Sequence, residues 1–462
     1  ALYRNSKNSN EGGEIVQCET FYAQPTYTFA LPSQEISGDW YYYVVATASL
    51  DGYEDVSAAS PTLKLNYKDP KQVVKGLDGD GTTAKPFLIK ELKDLNYVKE
   101  LIKDGFSFDG QTLQLTKDLE LPIDWDPIGV LKSGMPNEGL GANVLPFMGI
   151  LDGSGHTITV AKEGKPLFNY VRRATIKNLN IYGEHIKGYG LIDKYYVDYG
   201  ENGTYIDNKL KLRTVNIEKT VIKKDSKILK AGFIGGYASG VNTVNIKDCI
   251  VEKGVVIGDD GSWDDLGDTK WSYPYVTGSQ EDGFVNEEYF THKDCIGSFG
   301  GAFNGTINNS ISYATVYGGS FVGGLIGMKG QSMGPCDVTN SAFCGKIIAS
   351  GKRVGGILGG AYIAPSAPLT PPAVVKNSYA ACDIETSDSL IGGIVGAGHT
   401  LADNCFFYGN LKAESGKSPI GTKGVNNFYL DTCGSSAESD EYGIKATAKE
   451  FADGTILEKL SK

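Results

Sequence analysis

The sequence predicts an all-β chain whose main part is a parallel β-helix, a solenoid of short strands stacked coil upon coil. Two repeated phrases and the glycine content support this prediction. The first phrase is an apolar residue, a glycine pair, two apolar residues and a glycine, and it stands at 322–327, 354–359 and 391–396. Phrases that return every few tens of residues are typical of stacked repeats. Glycine accounts for 60 of the 462 residues and permits the positive φ values that tight corners require.

The second phrase is an Asn or Asp followed by a residue that is usually small, as in Asn309-Ser310. Counted from Asn309, the steps to the next four copies are 31, 37, 27 and 23 residues. An Asn tolerates left-handed backbone at a corner, and its amide can bond the amide one coil away for ~1 kcal/mol net. We therefore predict a structural ladder at Asn178, Asp248, Asn309, Asn340, Asn377, Asn404 and Asn427. The alternative is a β-sandwich whose glycines merely mark hairpins.

Charge and hydropathy restrict the partners. The net charge of −11 argues against nucleic acid and against an anionic membrane surface as a partner. No apolar run in the sequence approaches the ~20 residues that span a bilayer, so direct membrane insertion is not expected. We expect the protein to act as a monomer.

The cysteines are predicted to be structural. The eight of them show no C-x-x-C pair and no histidine at zinc-binding spacing, so no metal site is predicted from them. Cys249 and Cys405 occupy the small-residue slot that Ser310 and Ser378 fill in other copies of the second phrase. They are interpreted as buried thiols, with disulfides between coils as the alternative.

Residues 1–67 have a different character from the repeats. Runs at 27–31, 41–48 and 61–65 are rich in β-prone residues and are separated by Gly, Asp and Ser turns, which predicts strands. The run that begins at Trp40 resembles the last strands of fibronectin-III or bacterial Ig-like modules. Such modules usually run ~100 residues, so the resemblance implies a small, partial sandwich.

Both ends of the solenoid carry predicted caps. The segment 76–160 contains apolar residues at helical spacing from 91 to 103, and this helix would cover the open strand edge of the first coil. Within the same segment, 78–81 (Asp-Gly-Asp-Gly) predicts a tight turn, because a calcium loop needs more carboxylates. At the other end, a capping-box motif at Thr447 predicts a helical cap over 446–461 that is broken near Gly454.

The order of motifs in the N-terminal cap resembles the opening segment of bacterial surface proteins with GLUG repeats. The motifs are Pro-Phe-Leu-Ile at 86–89, Leu-Thr-Lys-Asp-Leu at 115–119, Trp-Asp-Pro-Ile-Gly at 125–129 and Leu-Asp-Gly-Ser-Gly-His-Thr-Ile at 151–158. The glycine phrases match the same family. The resemblance implies a right-handed β-helix over 76–462, secreted or displayed on the bacterial cell surface. It is specific for architecture, since such repeats occur in adhesin-like proteins and beside peptidase domains.

Two insertions, 187–213 and 256–294, interrupt the repeat and are rich in Tyr, Trp, Asp and Glu. Insertions in solenoids emerge as loops, often on the binding face. Aromatic rings beside carboxylates suit sugars, because rings stack on apolar CH surfaces and acids accept hydrogen bonds from hydroxyls. The predicted ligand-binding residues are Tyr195, Tyr196, Trp263, Asp264, Asp265, Trp271, Tyr273 and Tyr275. Two alternatives stay open: the loops pack on the coil wall without a function, or the Asp-rich loop holds Ca²⁺.

No catalytic residue is predicted. The four histidines are scattered and arginine is scarce, which does not favour a lyase. A glycosidase needs two carboxyls ~5–9 Å apart across a cleft. We expect an adhesin-like protein that binds a glycan or a host surface protein without a cofactor. The alternative is a polysaccharide-active enzyme, a lyase or glycoside hydrolase, that uses the acidic and aromatic insertions.

Overall fold

The predicted fold class is confirmed: from residue 87 onward the chain is a right-handed parallel β-helix with short helices at both ends. The computed structural model describes residues 1–17, 38–48, 54–67, 73–131, 144–195, 215–234, 244–263, 271–272, 289–290, 293–329, 335–361, 371–434 and 442–461.

The described N-terminal residues form one five-stranded antiparallel sheet. Its strands are Leu2–Asn5, Glu14–Gln17, Gly38–Ala48, Val56–Ala59 and Leu63–Tyr67. The strand Gly38–Ala48 lies centrally, since it pairs with three of the others. The predicted strand at 27–31 lies outside the described residues.

Each complete coil of the solenoid has five strand positions, which we name sheets A to E in chain order. Sheet A has ten strands: Phe87–Ile89, Thr112–Leu115, Ile150–Asp152, Thr175–Lys177, Val215–Glu218, Val244–Lys247, Gly305–Asn308, Cys336–Thr339, Ala373–Lys376 and Thr400–Asp403. Sheet B has eleven: Leu119–Leu121, Thr157–Val160, Asn180–Gly183, Val221–Ile222, Ile250–Val251, Ile311–Ser312, Ala342–Phe343, Tyr379–Ala380, Phe406–Phe407, Phe428–Leu430 and Ile444–Ala446.

The remaining sheets are shorter because fewer coils are complete. Sheet C has Lys227–Ile228, Val256–Ile257, Thr315–Gly318, Lys346–Ala349, Asp383–Thr386 and Leu411–Lys412. Sheet D has Ile296–Gly297, Val322–Gly323, Val354–Gly355, Ile391–Gly392 and Lys417–Ser418. Sheet E has Gly300–Phe303, Ile326–Lys329, Leu358–Ala361 and Val395–Gly398. An earlier pair of strands at the same position, Phe168–Val171 and Ile192–Tyr195, is connected to this sheet through single bridges of Ile234 with Ile192 and with Gly300. Two antiparallel pairs lie off the coils: Val130–Leu131 with Val144–Leu145, and Trp271–Ser272 with Tyr289–Phe290.

The core is a set of apolar columns that run along the solenoid axis. Successive strands of sheet A pair in register, so equivalent residues stack one coil apart, ~4.8 Å along the axis. One column of buried residues consists of Ile176, Ile217, Ile246, Ile307, Val338, Val375 and Ala402. A single short strand cannot bury a face alone, and the column supplies the apolar neighbour that each strand needs.

The glycine phrase marks the turn from sheet D to sheet E. A Cβ on Gly324 would lie 2.1 Å from the carbonyl oxygen of Gly356 and 2.3 Å from the ring of Phe343. Two coils approach each other too closely here for any side chain. The phrase therefore recurs because the same close approach recurs in each coil.

Asn and Asp residues, and Lys219 in one coil, occupy the corner between sheets A and B. The corner residues of successive coils have φ between 47° and 56°: Asn178, Lys219, Asp248, Asn309, Asn340, Asn377, Asn404 and Asn426. Five of these amides donate from Nδ2 to the preceding coil, as from Asn309 to Asp248 Oδ1 at 2.6 Å and from Asn404 to Asn377 Oδ1 at 3.2 Å. The left-handed backbone is the conformation that Asn adopts at low cost.

The assignment of Asn427 to this ladder is wrong by one residue. Asn426 has the left-handed backbone and donates from Nδ2 to Asn404 Oδ1 at 2.9 Å. Asn427 is buried one position further on, where its Oδ1 accepts from the Cys405 N–H at 3.0 Å and its Nδ2 donates to the Ala402 carbonyl at 2.7 Å. Its amide thus satisfies buried backbone groups that a corner residue does not reach.

A second ladder runs inside the corner, one residue after it. At each step a backbone N–H donates to the side chain of the next coil, as from Cys249 to Ser310 Oγ at 3.0 Å. The residues in this inner ladder are Thr220, Cys249, Ser310, Ser341, Ser378, Cys405 and Asn427. The seven cysteines within the described ranges are free thiols, and six are buried.

Helices cover both ends of the stack. Helix α1, Leu92–Lys103, opens with a capping box between Glu91 and Asp94 and turns an apolar face that includes Val98 onto the first coil. Helices α2, Ala448–Ala452, and α3, Thr455–Leu460, close the other end. They are separated by Gly454 at φ 85°, which accounts for the predicted break.

Candidate functional site

The two insertions leave the solenoid from different corners. The first leaves after the strand Ile192–Tyr195 of sheet E and returns at Val215–Glu218 of sheet A. The second leaves after Val256–Ile257 of sheet C and returns at Ile296–Gly297 of sheet D. The loops are therefore rooted on different sides of the coil wall.

The predicted start of the first insertion at residue 187 is too early. Ile186 and Ile192 are buried and form parallel bridges to Ile228 and Ile234 in the next coil. Residues 187–195 therefore belong to the coil wall. The inward apolar residues are spaced too irregularly around 187–195 for the repeat to be recognised from sequence.

The root of the second insertion is tied together by charge. Asp259, near the point where the chain leaves, forms an ion pair with Lys293, near the point where it returns, at 3.3 Å between Oδ2 and Nζ. The carboxylate is nearly buried while the lysine is half exposed. Gly258 makes the exit turn at φ 94°, where a Cβ would lie 1.9 Å from the Tyr317 carbonyl oxygen. These contacts fix both ends of the insertion on the rigid wall.

Asp260 extends this clamp to the neighbouring coil. Its Oδ2 accepts from Lys227 Nζ at 3.0 Å, and its Oδ1 accepts from the Ser262 N–H at 3.0 Å and from the Ser262 hydroxyl. Burial raises the pKa of Asp260, but the hydrogen bonds from Ser262 and Lys227 outweigh burial, and the pKa is lowered. The carboxylate is therefore ionised at neutral pH and holds the loop in place.

Trp263 lies against the wall rather than in solvent. Its side chain is 8% exposed, its ring centroid lies 4.8 Å from that of His185, and its Nε1 donates to the Gly258 carbonyl at 3.3 Å. The ligand-binding role of Trp263 stays a prediction, although its ring is not presented to solvent here. Its placement agrees with the alternative, in which the insertion packs on the coil wall, because the ring lies against His185 and beside Gly258.

His185 stands between a carboxylate and a hydroxyl. Its Nδ1 lies 3.4 Å from Glu163 Oε1, and its Nε2 lies 3.5 Å from Ser262 Oγ. A serine nucleophile needs its hydroxyl directed at the base and an open approach for the reacting carbon. Here the Ser262 hydroxyl donates to Asp260, and His185 is 8% exposed beneath Trp263. The cluster is arranged as a structural clamp.

The remaining predicted ligand residues are placed only in part. Trp271 lies in the antiparallel pair Trp271–Ser272 and Tyr289–Phe290, and Tyr195 ends the sheet E strand Ile192–Tyr195. Five predicted residues lie outside the described ranges: Tyr196, Asp264, Asp265, Tyr273 and Tyr275.

Two further features of the described residues bear on the kind of site. The part of the chain that the structure covers contains no group of three or more His, Cys, Asp or Glu side chains placed to hold a metal ion. Within the same ranges, none of the helices is long and apolar enough to cross a bilayer.

The described geometry defines a class of protein, a capped parallel β-helix with a clamped insertion. No protein-family model matches the chain. The chain is 27% identical, over 143 residues, to a protein of Evansella cellulosilytica that has the provisional name Gly-rich membrane protein. The match covers 26% of this chain and 15% of that protein. The match thus spans about one seventh of the relative's length.

Two solved structures are similar to this chain at low sequence identity. A crystal structure of a provisionally named immunoglobulin A1 protease from Bacteroides ovatus is 19% identical, with a TM-score of 0.41, and the alignment covers 82% of this chain and 88% of that one. A structure named IgA1 protease is 12% identical, with a TM-score of 0.40, and the alignment covers 92% of this chain and 29% of that one. At these values the similarities carry no argument about activity.

Proposed function

We propose that this chain is a secreted or bacterial cell-surface β-helix protein that binds a glycan or a host surface protein through its insertions. The observation that carries the proposal is the clamp at the root of the second insertion. Ion pairs of Asp259 and Asp260 and the buried ring of Trp263 hold an acidic, aromatic loop on a rigid wall. Loops positioned by a rigid scaffold are the usual place for recognition.

The composition of the insertion supports a binding role. Trp271, Tyr273 and Tyr275 supply rings, and Asp264 and Asp265 supply carboxylates within a dozen residues. Rings can cover the apolar faces of sugars while carboxylates accept hydrogen bonds from hydroxyls. The proposal includes a second role for these carboxylates. They bind Ca²⁺, and the ion bridges the second insertion and the ligand.

The resemblance to GLUG-repeat surface proteins supports the cellular location. On this proposal, residues 1–67 form a partial Ig-like spacer and residues 76–462 form the ligand-presenting solenoid. The chain acts as a monomer, since the insertions by themselves supply the ligand contacts. Enzymatic action on polysaccharide, through the acidic and aromatic side chains of the insertions, is the competing function.

The experiment is a glycan array run together with reducing-sugar and lyase absorbance assays on the same glycans. We expect binding without turnover, and at least about tenfold weaker binding for Trp271→Ala, since recognition concentrates in a few aromatic side chains. Tyr313→Ala is the matched control, because Tyr313 is an exposed aromatic residue in the turn between sheets B and C. An arm with EDTA reports on Ca²⁺.

Two results would contradict the binding proposal. Turnover that disappears in Asp264→Ala or Asp265→Ala would show an enzyme. Equal loss of binding in Trp271→Ala and Tyr313→Ala would show that the second insertion is not the recognition site.

A further inference from the structure

A groove of about 390 Å³ crosses three coils on the wall beside the His185 cluster. Its charged and amide side chains come from three successive coils and from the N-terminal cap: Asp126, Lys165, Asn169, Lys187, Asp193 and Lys230. None of these residues was singled out as a site from sequence.

The register of the coils aligns the lysines. Gly164, Ile186 and Ile228 form parallel bridges across three coils, and Ile186 and Ile228 point into the core. The residue after each bridge in the first two coils, Lys165 or Lys187, therefore points outward and is exposed. These two residues stand one coil apart, ~4.8 Å along the axis.

Lys230 adds a third lysine one residue out of register, since Leu229 is the third-coil equivalent of Lys187. Its backbone N–H donates to the Gly188 carbonyl at 2.8 Å, which places Lys230 beside the residue that follows Lys187. Its Nζ lies 5.4 Å from the ring centroid of Tyr189, so its side chain is half-buried and ordered by the ring.

A second row faces the lysines. The strands Phe168–Val171 and Ile192–Tyr195 pair in register, so Asn169 and Asp193 stand at the same position one coil apart. Both side chains are half-buried. An amide and a carboxylate side by side can donate to and accept from the hydroxyls of a ligand.

The groove is cationic on an acidic protein. Three lysines line it against two aspartates, and Asp126 is already balanced by Lys99 at 3.8 Å and Lys103 at 3.6 Å. Within the described ranges Lys165 and Lys187 form no ion pair, while the whole chain carries a net charge of −11. Two exposed lysines one coil apart, with Lys230 close by in the next coil, fit a ligand with repeated negative charge.

We infer that this groove binds a polyuronate, a polysaccharide with one carboxylate on each sugar, laid along the solenoid axis. The ammonium groups of Lys165, Lys187 and Lys230 pair with successive carboxylates. Asn169 and Asp193 bind the sugar hydroxyls between them. A neutral glycan leaves the lysines unpaired, and a small anion leaves the second row unused. This groove is separate from the residues proposed for the second insertion.

The test is isothermal titration with polygalacturonate, with dextran as the neutral polymer and inorganic phosphate as the small anion. We expect binding of polygalacturonate alone, with an affinity that falls as salt rises. The double variant of Lys165→Gln and Lys187→Gln weakens it by at least about tenfold, because two charge-assisted contacts are lost. The control is the double variant of Lys253→Gln and Lys352→Gln, two exposed lysines elsewhere on the solenoid.

Three results would overturn the inference: no binding of polygalacturonate, equal binding of dextran, or displacement of the polymer by phosphate at similar concentration. An equal effect of the two double variants would show that the charge of the whole surface, not this groove, attracts the polymer. Loss of polygalacturonate affinity in Trp271→Ala but not in the double variant of Lys165 and Lys187 would assign the polymer to the second insertion and overturn this inference. The inference and the proposal for the second insertion therefore fail or stand separately.

Discussion

At the scale of single residues, the corner between sheets A and B repeats the same backbone conformation and the same amide contacts from coil to coil. Asn377 is typical: its φ is 48°, its Nδ2 donates to Asn340 Oδ1 at 3.4 Å, and its Oδ1 accepts from Asn404 Nδ2 at 3.2 Å. The side chain thus has two tasks, to tolerate the left-handed backbone and to connect three coils. The two tasks can be separated by substitution.

Asn377→Ala is expected to lower the free energy of unfolding by about 2–4 kcal/mol, from two lost hydrogen bonds and the cost of alanine in the left-handed region. Asn377→Gly removes the same hydrogen bonds, but glycine adopts the left-handed conformation without strain. We therefore expect the folded state of Asn377→Gly to be less destabilised than that of Asn377→Ala. Urea unfolding followed by circular dichroism measures both. Stability of Asn377→Ala equal to the parent would show that the ladder does not stabilise the corner.

At the scale of elements, the C-terminal helices close the last coil. Ile456 of α3 is 1% exposed and packs with Phe428 and Ala446, while the next residue, Leu457, is 64% exposed. Phe451 of α2 lies with its ring centroid 5.5 Å from that of Phe406. The cap therefore covers an apolar strand end that would otherwise be open to pairing with another chain.

Ile456→Ala is expected to loosen this cap, because a buried Ile→Ala change costs about 2–5 kcal/mol. Leu457→Ala is the matched control in the same helix, and a surface change of this kind stays within about 0.5 kcal/mol. Limited proteolysis should trim the C-terminus of Ile456→Ala first, and light scattering should show self-association. The cap would be irrelevant to the solenoid end if both variants behaved alike.

At the scale of the whole molecule, the interior holds thiols in several coils. Burial raises the pKa of Cys249, Cys336 and Cys405 to about 12. In the unfolded chain the pKa of cysteine is about 8.5, so the unfolded state loses these protons first as pH rises. A raised folded-state pKa stabilises the fold below the unfolded pKa, and this stability is lost between the two values.

The free energy of unfolding should therefore fall above pH 8.5, with each such thiol contributing about 1.4 kcal/mol per pH unit. The double variant of Cys249→Ser and Cys405→Ser should show a shallower fall, since serine fills the same slot in neighbouring coils and does not titrate there. Urea unfolding under reducing conditions at pH 8, 9.5 and 10.5 measures the slope. An unchanged slope in the double variant would mean that other groups cause the alkaline loss.

Sequence reasoning reached the coil repeat because local chemistry repeats with it. Left-handed corners favour Asn, and the close approach of coils at the turn between sheets D and E requires glycine. The C-terminal cap begins with a recognisable capping-box motif at Thr447. The prediction for the last corner was wrong because Asn426 and Asn427 are adjacent and identical in type. Only burial distinguishes the corner residue from the inner one. Sequence reasoning also failed at 187–195, where wall residues look like an insertion.

The sequence by itself determined that this chain forms stacked coils with capped ends, since those features depend on residues close to one another along the chain. Only the tertiary structure decided that Trp263 is buried on His185 and that Lys165, Lys187 and Lys230 line one groove. These facts depend on register between coils, which brings together residues separated by whole repeats. Composition carries no record of that register.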